Sequence, residues 1–134
     1  MKQEDKELFL KDLAQRLPYG VKISINNDFP MVLNQISYSY GLVGKDNELY
    51  SLEHFVIKPY LFPLSSMTEE QRKEYESLCI KEASECTDLY GIIFSKDYFY
   101  DTIESIDYLY KNHIDIRGLI PMGLAIDCTN LNIY

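Results

Sequence analysis

The hydrophobic period of the chain changes at Pro18-Tyr19-Gly20, so a chain like this has to combine helix with strand. Before that point Leu8, Phe9, Leu13 and Leu17 return at helical spacing, while Lys6, Glu7, Lys11, Asp12 and Gln15 fall mostly on other faces. The spacing predicts a helix over residues 4–17. Pro18 biases its predecessor away from helical geometry, and Gly20 permits a turn. Beyond it Val21, Ile23 and Ile25 alternate with Lys22, Ser24 and Asn26, which is strand spacing, and Asn26-Asn27-Asp28 supplies turn-formers at its end.

The next alternation is cleaner still. Ile36, Tyr38, Tyr40 and Leu42 stand against Gln35, Ser37, Ser39 and Gly41, the pattern of one half-buried antiparallel strand. Gly44-Lys45-Asp46-Asn47 reads as a hairpin turn leading into an extended segment over residues 48–57. Short strands joined by tight turns fit a curled antiparallel sheet or a small SH3-like barrel, and the pattern leaves both open. Lys58-Pro59-Tyr60-Leu61-Phe62-Pro63-Leu64 is extended, because each proline disfavours helix at the residue before it. Thr68-Glu69-Glu70-Gln71 is a capping box that opens a helix predicted over residues 69–85, with Tyr75, Leu78, Cys79 and Ala83 inward.

Residues 88–95 read as a short strand, and Asp101 is placed to cap a third helix running to Asn112. Its inward positions would be Ile103, Ile106, Leu109, Tyr110 and His113. Residues 116–126, broken by Gly118, Pro121 and Gly123, are expected to pack on the core as turns, and 127–134 to form a polar tail, anchored at its end or flexible. The sum is a single α+β domain over residues 1–134: an N-terminal helix, a small antiparallel sheet or SH3-like barrel, and two later covering helices.

Composition narrows the chemistry. A chain of 134 residues buries about two-thirds of its unfolded surface, enough for a core without disulfides or a structural metal. Cys79 and Cys86 are six residues apart in the intervening sequence, which matches no zinc-ligand spacing, and Cys128 leaves the thiols odd in number; all three read as small buried hydrophobes. No metal and no cofactor is expected. The polar start of the chain has no signal-type apolar region, and stretches such as Gly91-Ile92-Ile93-Phe94 are far too short for a membrane span, so a cytoplasmic chain without membrane contact is expected. Thirteen Lys and Arg against 21 Asp and Glu leave a net charge of −8, which argues against nucleic acid as a partner. Gly41-Leu42-Val43-Gly44 lacks the Lys-Ser/Thr of a phosphate-binding loop.

Three blocks resemble a known family: Leu13-Ala14-Gln15-Arg16-Leu17-Pro18-Tyr19-Gly20-Val21-Lys22, Ile57-Lys58-Pro59-Tyr60-Leu61-Phe62-Pro63-Leu64-Ser65-Ser66-Met67-Thr68-Glu69-Glu70, and Asp107-Tyr108-Leu109 with Asp115-Ile116-Arg117-Gly118-Leu119-Ile120. They are similar to a family of small proteins, of unassigned activity, from Bacteroides-group gut bacteria and their phages or mobile elements. The resemblance implies a genomic neighbourhood and brings no catalytic residue with it.

The residues that could carry chemistry are few. His113, with Asp115 two residues on, forms a candidate general base and orienting acid; the competing reading is a helix-end histidine with no chemistry. His54 beside Glu53 has less support, and neither histidine stands at metal-ligand spacing. The unusual feature is 12 tyrosines without a tryptophan. Tyr38 and Tyr40 share one predicted strand face, and Tyr98, Tyr100, Tyr108 and Tyr110 cluster around the third helix, with Arg117 beyond it. Tyrosine gives broad contact area at low entropic cost, so these residues are candidates for an interaction surface. The leading expectation is a non-enzymatic domain that binds a protein partner or a second copy of itself. The alternatives are an acidic inhibitor that mimics nucleic acid and a small enzyme using His113 and Asp115.

Overall fold

A computed structural model describes residues 2–37, 41–45, 48–87, 89–91 and 93–134. Tyr38 and Tyr40, and Asp46-Asn47 of the expected hairpin turn, lie outside the described residues. The elements in chain order are α1 (Gln3–Arg16), β1 (Lys22–Ile25), β2 (Met31–Val32), β3 (Gln35–Ser37), β4 (Leu42–Lys45), β5 (Glu48–Ser51) and β6 (Ile57–Pro63). Then come α2 (Glu69–Leu78), β7 (Ile80–Thr87), β8 (Ile93–Tyr100), α3 (Ile103–Lys111), β9 (Ile114–Asp115) and β10 (Ile126–Asp127). The fold is α+β with an N-terminal helix, and among the described residues no sheet closes into a barrel. No described helix is long and apolar enough to cross a membrane.

The chain divides into two compact units, residues 1–66 with 110–134 and residues 67–109. In the first unit β6 is the organising strand. It runs antiparallel to β1, with Ile23 opposite Pro59 and Ile25 opposite Ile57, and β1 pairs in turn with β2. On β6 the late strands β9 and β10 add in parallel, Phe62 beside Ile114 and Tyr60 beside Ile126. These parallel pairs extend what the sequence presents as purely antiparallel. A separate meander, β3-β4-β5, places Ser37 opposite Leu42 and Lys45 opposite Glu48. The alternating run from Ile36 to Leu42 is therefore divided between two strands: an apolar period of two marks strand spacing but does not mark where the chain reverses.

The core of this unit joins Phe9, Leu10 and Leu13 of α1 to Val21, Ile23 and Ile25, with Ile57 and Leu61 of β6 and Leu33 and Val43 around them. Leu119, wholly buried, comes from the turn-rich stretch after β9, which packs on the core as its composition implies. The helix also buries Arg16 and Asp12, the latter expected on another face.

In the second unit the capping box forms as expected. Thr68 Oγ1 accepts the Gln71 amide at 3.1 Å and the Gln71 side chain accepts the Thr68 amide at 3.0 Å. The helix stops at Leu78 rather than continuing to residue 85. Cys79 turns to an extended conformation with its amide on the Glu76 carbonyl, and Thr102 Oγ1 donates to the Leu78 carbonyl at 2.7 Å, satisfying a group the next turn would have used. Residues 80–87 instead form β7, which pairs with β8 over eight residues from Ile80–Tyr100 to Thr87–Ile93. Thr102, not Asp101, caps α3: its hydroxyl accepts the Ser105 amide at 3.1 Å, and Ser105 Oγ accepts the Thr102 amide at 2.7 Å. Asp101 instead accepts the hydroxyls of Ser105 and Tyr75. Ile103, expected inward, is 81% exposed.

Candidate functional site

Two places gather the residues that the sequence marks for function. The first lies where α1 meets the segment after α3. Asp12 and Arg16 are four apart and so face the same way along α1. Arg16 Nε donates to Asp12 Oδ2 at 2.7 Å and its Nη2 reaches Oδ1 at 3.3 Å, with both side chains fully buried. The same Nη2 donates to the Ile114 carbonyl at 2.7 Å, and the guanidinium lies over the Tyr110 ring, 4.9 Å from its centre. Arg117 adds a second guanidinium, 3.4 Å from Asp12 Oδ1, and donates to Gln15 Oε1 at 2.8 Å, which also accepts the Tyr110 hydroxyl at 2.6 Å. Arg117 thus reaches toward Asp12, Gln15 and the Tyr110 hydroxyl.

His113 follows α3 with φ of +61°, a left-handed helix stop held by its amide on the Tyr110 carbonyl at 3.0 Å. Its carbonyl accepts the Phe62 amide at 2.8 Å, and its ring stacks on Tyr134 with centroids 3.7 Å apart. Nδ1 is buried without a hydrogen-bond partner among the described residues. Burial lowers its pKa to about 4, with the positive charges of Arg16 and Lys22 acting in the same direction. Asp115 does not orient it. Both carboxylate oxygens of Asp115 are taken by backbone amides, Leu119 on Oδ1 and Ile120 on Oδ2, each at 2.9 Å. The two candidate catalytic residues therefore do separate structural work: His113 stops a helix as a neutral ring, and Asp115 holds the turn after β9. A base of pKa about 4 with no partner on its buried nitrogen is poorly matched to proton transfer near neutrality.

Residues 127–134 are not a loose tail at this point. The Tyr134 hydroxyl donates to the Tyr60 carbonyl at 2.8 Å and accepts the Lys22 amide at 2.9 Å, while Lys22 Nζ donates to the Ile133 carbonyl at 2.7 Å. Burial pushes the Tyr134 phenol well above its ordinary range and the Cys128 thiol up to about 11, so Cys128 remains a protonated thiol. Among the described residues no group of three or more His, Cys, Asp or Glu is arranged to hold a metal ion.

The second place is the β7–β8 ribbon. Leu89 and Tyr90, in the turn between its strands, are 100% and 88% exposed. Tyr98 and Tyr100 share one face of β8 and Phe99 occupies the other, and all three are exposed, as is Ile80 opposite Tyr100. Tyr108 differs from these: its hydroxyl donates to Glu74 at 3.2 Å, and burial followed by the Glu74 charge raises its pKa. Of the candidate interaction tyrosines, the ribbon brings Tyr98 and Tyr100 together and adds Leu89, Tyr90 and Phe99, which the tyrosine pattern near the third helix does not include. Leu89-Tyr90 before Gly91 carries the local signal of an apolar turn.

Among the described residues, clefts of about 370, 240 and 300 Å³ open on the first unit, and these are not lined by His113 or by the ribbon tyrosines. Comparison with protein-family models, with curated proteins and with solved structures found no match to this chain.

Proposed function

We propose that the chain is a protein-interaction domain without a catalytic role, and that the β7–β8 ribbon is its contact surface. The supporting observation is the ribbon itself: two eight-residue strands that pair only with each other among the described residues, with exposed aromatic side chains on both faces and Leu89-Tyr90 at the turn. A two-stranded ribbon is marginal in water, and clustered exposed apolar side chains mark association sites. Burial of one such side chain stabilises by about 1.5–3 kcal/mol. The partner is a protein, a second copy of the chain included. The resemblance to proteins of phages and mobile elements supports an origin in such an element.

Nucleic-acid mimicry has less support, because acids on the described surface are interleaved with lysines, as in Lys81–Asp97 at 3.3 Å, Lys73–Glu69 at 4.0 Å and Lys6–Glu53 at 4.0 Å. The test replaces Leu89 and Tyr90 together by serine. Light scattering of the pure protein and capture from a host lysate should show an association that the variant loses, with an unchanged unfolding midpoint. A strictly monomeric protein that captures nothing overturns the reading.

A further inference from the structure

We infer that the gap between the start of β1 and the middle of β6 is a recognition site for a phenol, filled in cis by Tyr134 and open in exchange to a tyrosine of another polypeptide. The inference is independent of the β7–β8 ribbon, and either can fail without the other.

The strand register makes the gap. Pairing of β1 with β6 ends at Ile23 opposite Pro59, so the next rung would join the Lys22 amide to the Tyr60 carbonyl. The Tyr134 hydroxyl takes that rung, accepting the Lys22 amide at 2.9 Å and donating to the Tyr60 carbonyl at 2.8 Å. A single atom must therefore accept from one strand and donate to the other. A carboxylate or phenolate has no hydrogen to give, and an ammonium has no lone pair with which to accept; a hydroxyl does both. The surroundings of the ring then select an aromatic hydroxyl. His113 stacks on it with centroids 3.7 Å apart and planes 10° from parallel, Phe62 lies tilted at 6.0 Å, and Lys22 Nζ stands 5.6 Å from its centre. A serine or threonine would complete the rung but leave the His113 ring uncovered.

The grip is on the phenol more than on the segment that carries it. Residues 129–132 are exposed, and the bonds at Thr129 and Leu131 run to Asp127 and Cys128, their near neighbours in the chain. Among the described residues, the polar ties from 129–134 to the rest of the first unit lie at Tyr134 and at Ile133, whose carbonyl accepts Lys22 Nζ at 2.7 Å. A competing peptide has only those contacts to replace. Attachment in cis gives Tyr134 a high effective concentration, which inhibits the site without blocking it. The chemistry of the ring and hydroxyl is shared by a free phenol, but the Ile133 tie adds a backbone carbonyl that only a polypeptide supplies.

The test uses the full chain near neutral pH, with the Lys22 amide and the Tyr134 resonances followed by NMR. Tyr134→Ala is titrated with p-cresol, with toluene, and with the capped dipeptide N-acetyl-isoleucyl-tyrosine amide. p-Cresol should bind at least about tenfold more tightly than toluene, which leaves the amide and the carbonyl unpaired. The dipeptide should bind more tightly than p-cresol; the reverse order assigns a free phenol and overturns the polypeptide as ligand. In the parent chain the dipeptide should displace Tyr134, at a concentration about a hundredfold higher than the variant needs. Tyr134→Phe keeps the ring and loses the rung, so its segment should give way at about tenfold lower dipeptide concentration than the parent's, which tests the site even if Tyr134→Ala does not fold. Equal binding of toluene and p-cresol, a Phe variant displaced no more easily than the parent, or a parent Tyr134 that stays seated throughout the titration overturns the inference.

Discussion

The carboxylate of Asp12 and the guanidinium of Arg16 meet at 2.7 Å, one helical turn apart, with neither side chain reached by solvent. Removing one partner from such a pair leaves an uncompensated buried charge, which costs more than the pair itself contributes. Asp12→Ala should therefore destabilise the first unit by about 3–5 kcal/mol, read as a lowered urea midpoint. The double variant Asp12→Leu with Arg16→Met, which removes both charges, should recover most of that loss. A double variant no more stable than Asp12→Ala would show that the contacts of Arg16 with Ile114 and Tyr110 outweigh the ion pair.

His113 makes the stability of the fold depend on pH in a defined window. Its folded pKa of about 4 lies below the value of 6.5 for the unfolded chain, so between these pH values only the unfolded chain takes up the proton. Stability contributed by the neutral ring is complete above about pH 6.5 and falls as pH is lowered toward 4. The slope is at most about 1.4 kcal/mol per pH unit, and partial solvent access to the ring reduces it. His113→Asn tolerates the same backbone geometry, so subtracting its stability profile from that of the parent between pH 4 and 7 should isolate this dependence.

Thiol reactivity should separate the two cysteines whose side chains are described. Cys128 is buried and its thiol is pushed up to about 11, whereas Cys79 is half-buried at the end of α2. Iodoacetamide at pH 8, followed by peptide mapping, should modify Cys79 in the native protein and Cys128 only as fast as the first unit opens. Early modification of Cys128 would mean that the packing around it opens readily.

The capping box offers a local test of the second unit. Thr68→Ala removes the acceptor for the Gln71 amide and should cost about 1 kcal/mol. Thr68→Ser, which keeps the hydroxyl, should recover most of it. The two unfolding midpoints decide this.

What the sequence discloses about this fold is what neighbours in the chain determine. The capping box at Thr68 and Gln71, the strand at Ile23 and Ile25 and the helix at Leu8–Leu13 all follow from residues within one or two turns of each other. Burial of Asp12 is not legible in that way, because its reason lies in Arg117 and in the Ile114 carbonyl bonded by Arg16, about a hundred residues along the chain. The same holds for the end of α2: the residues over 80–85 suit a helix well enough by propensity, and it is pairing with β8 and the hydroxyl of Thr102 that decide otherwise. At the candidate site the tyrosines were visible by their number, but their sorting was not. Tyr110 turns inward to Gln15 and Tyr98 outward to solvent, and only the assembled fold distinguishes them.

The position of β6 bears on how this protein is made. During synthesis its partner β1 emerges before it, while β9 and β10 emerge only after the whole of the second unit has left the ribosome. Until then one edge of β6 presents unpaired backbone groups beside the apolar residues Tyr60 and Leu61. Nascent chains that stall before residue 110 should thus be the aggregation-prone species, and the second unit has that interval in which to form on its own.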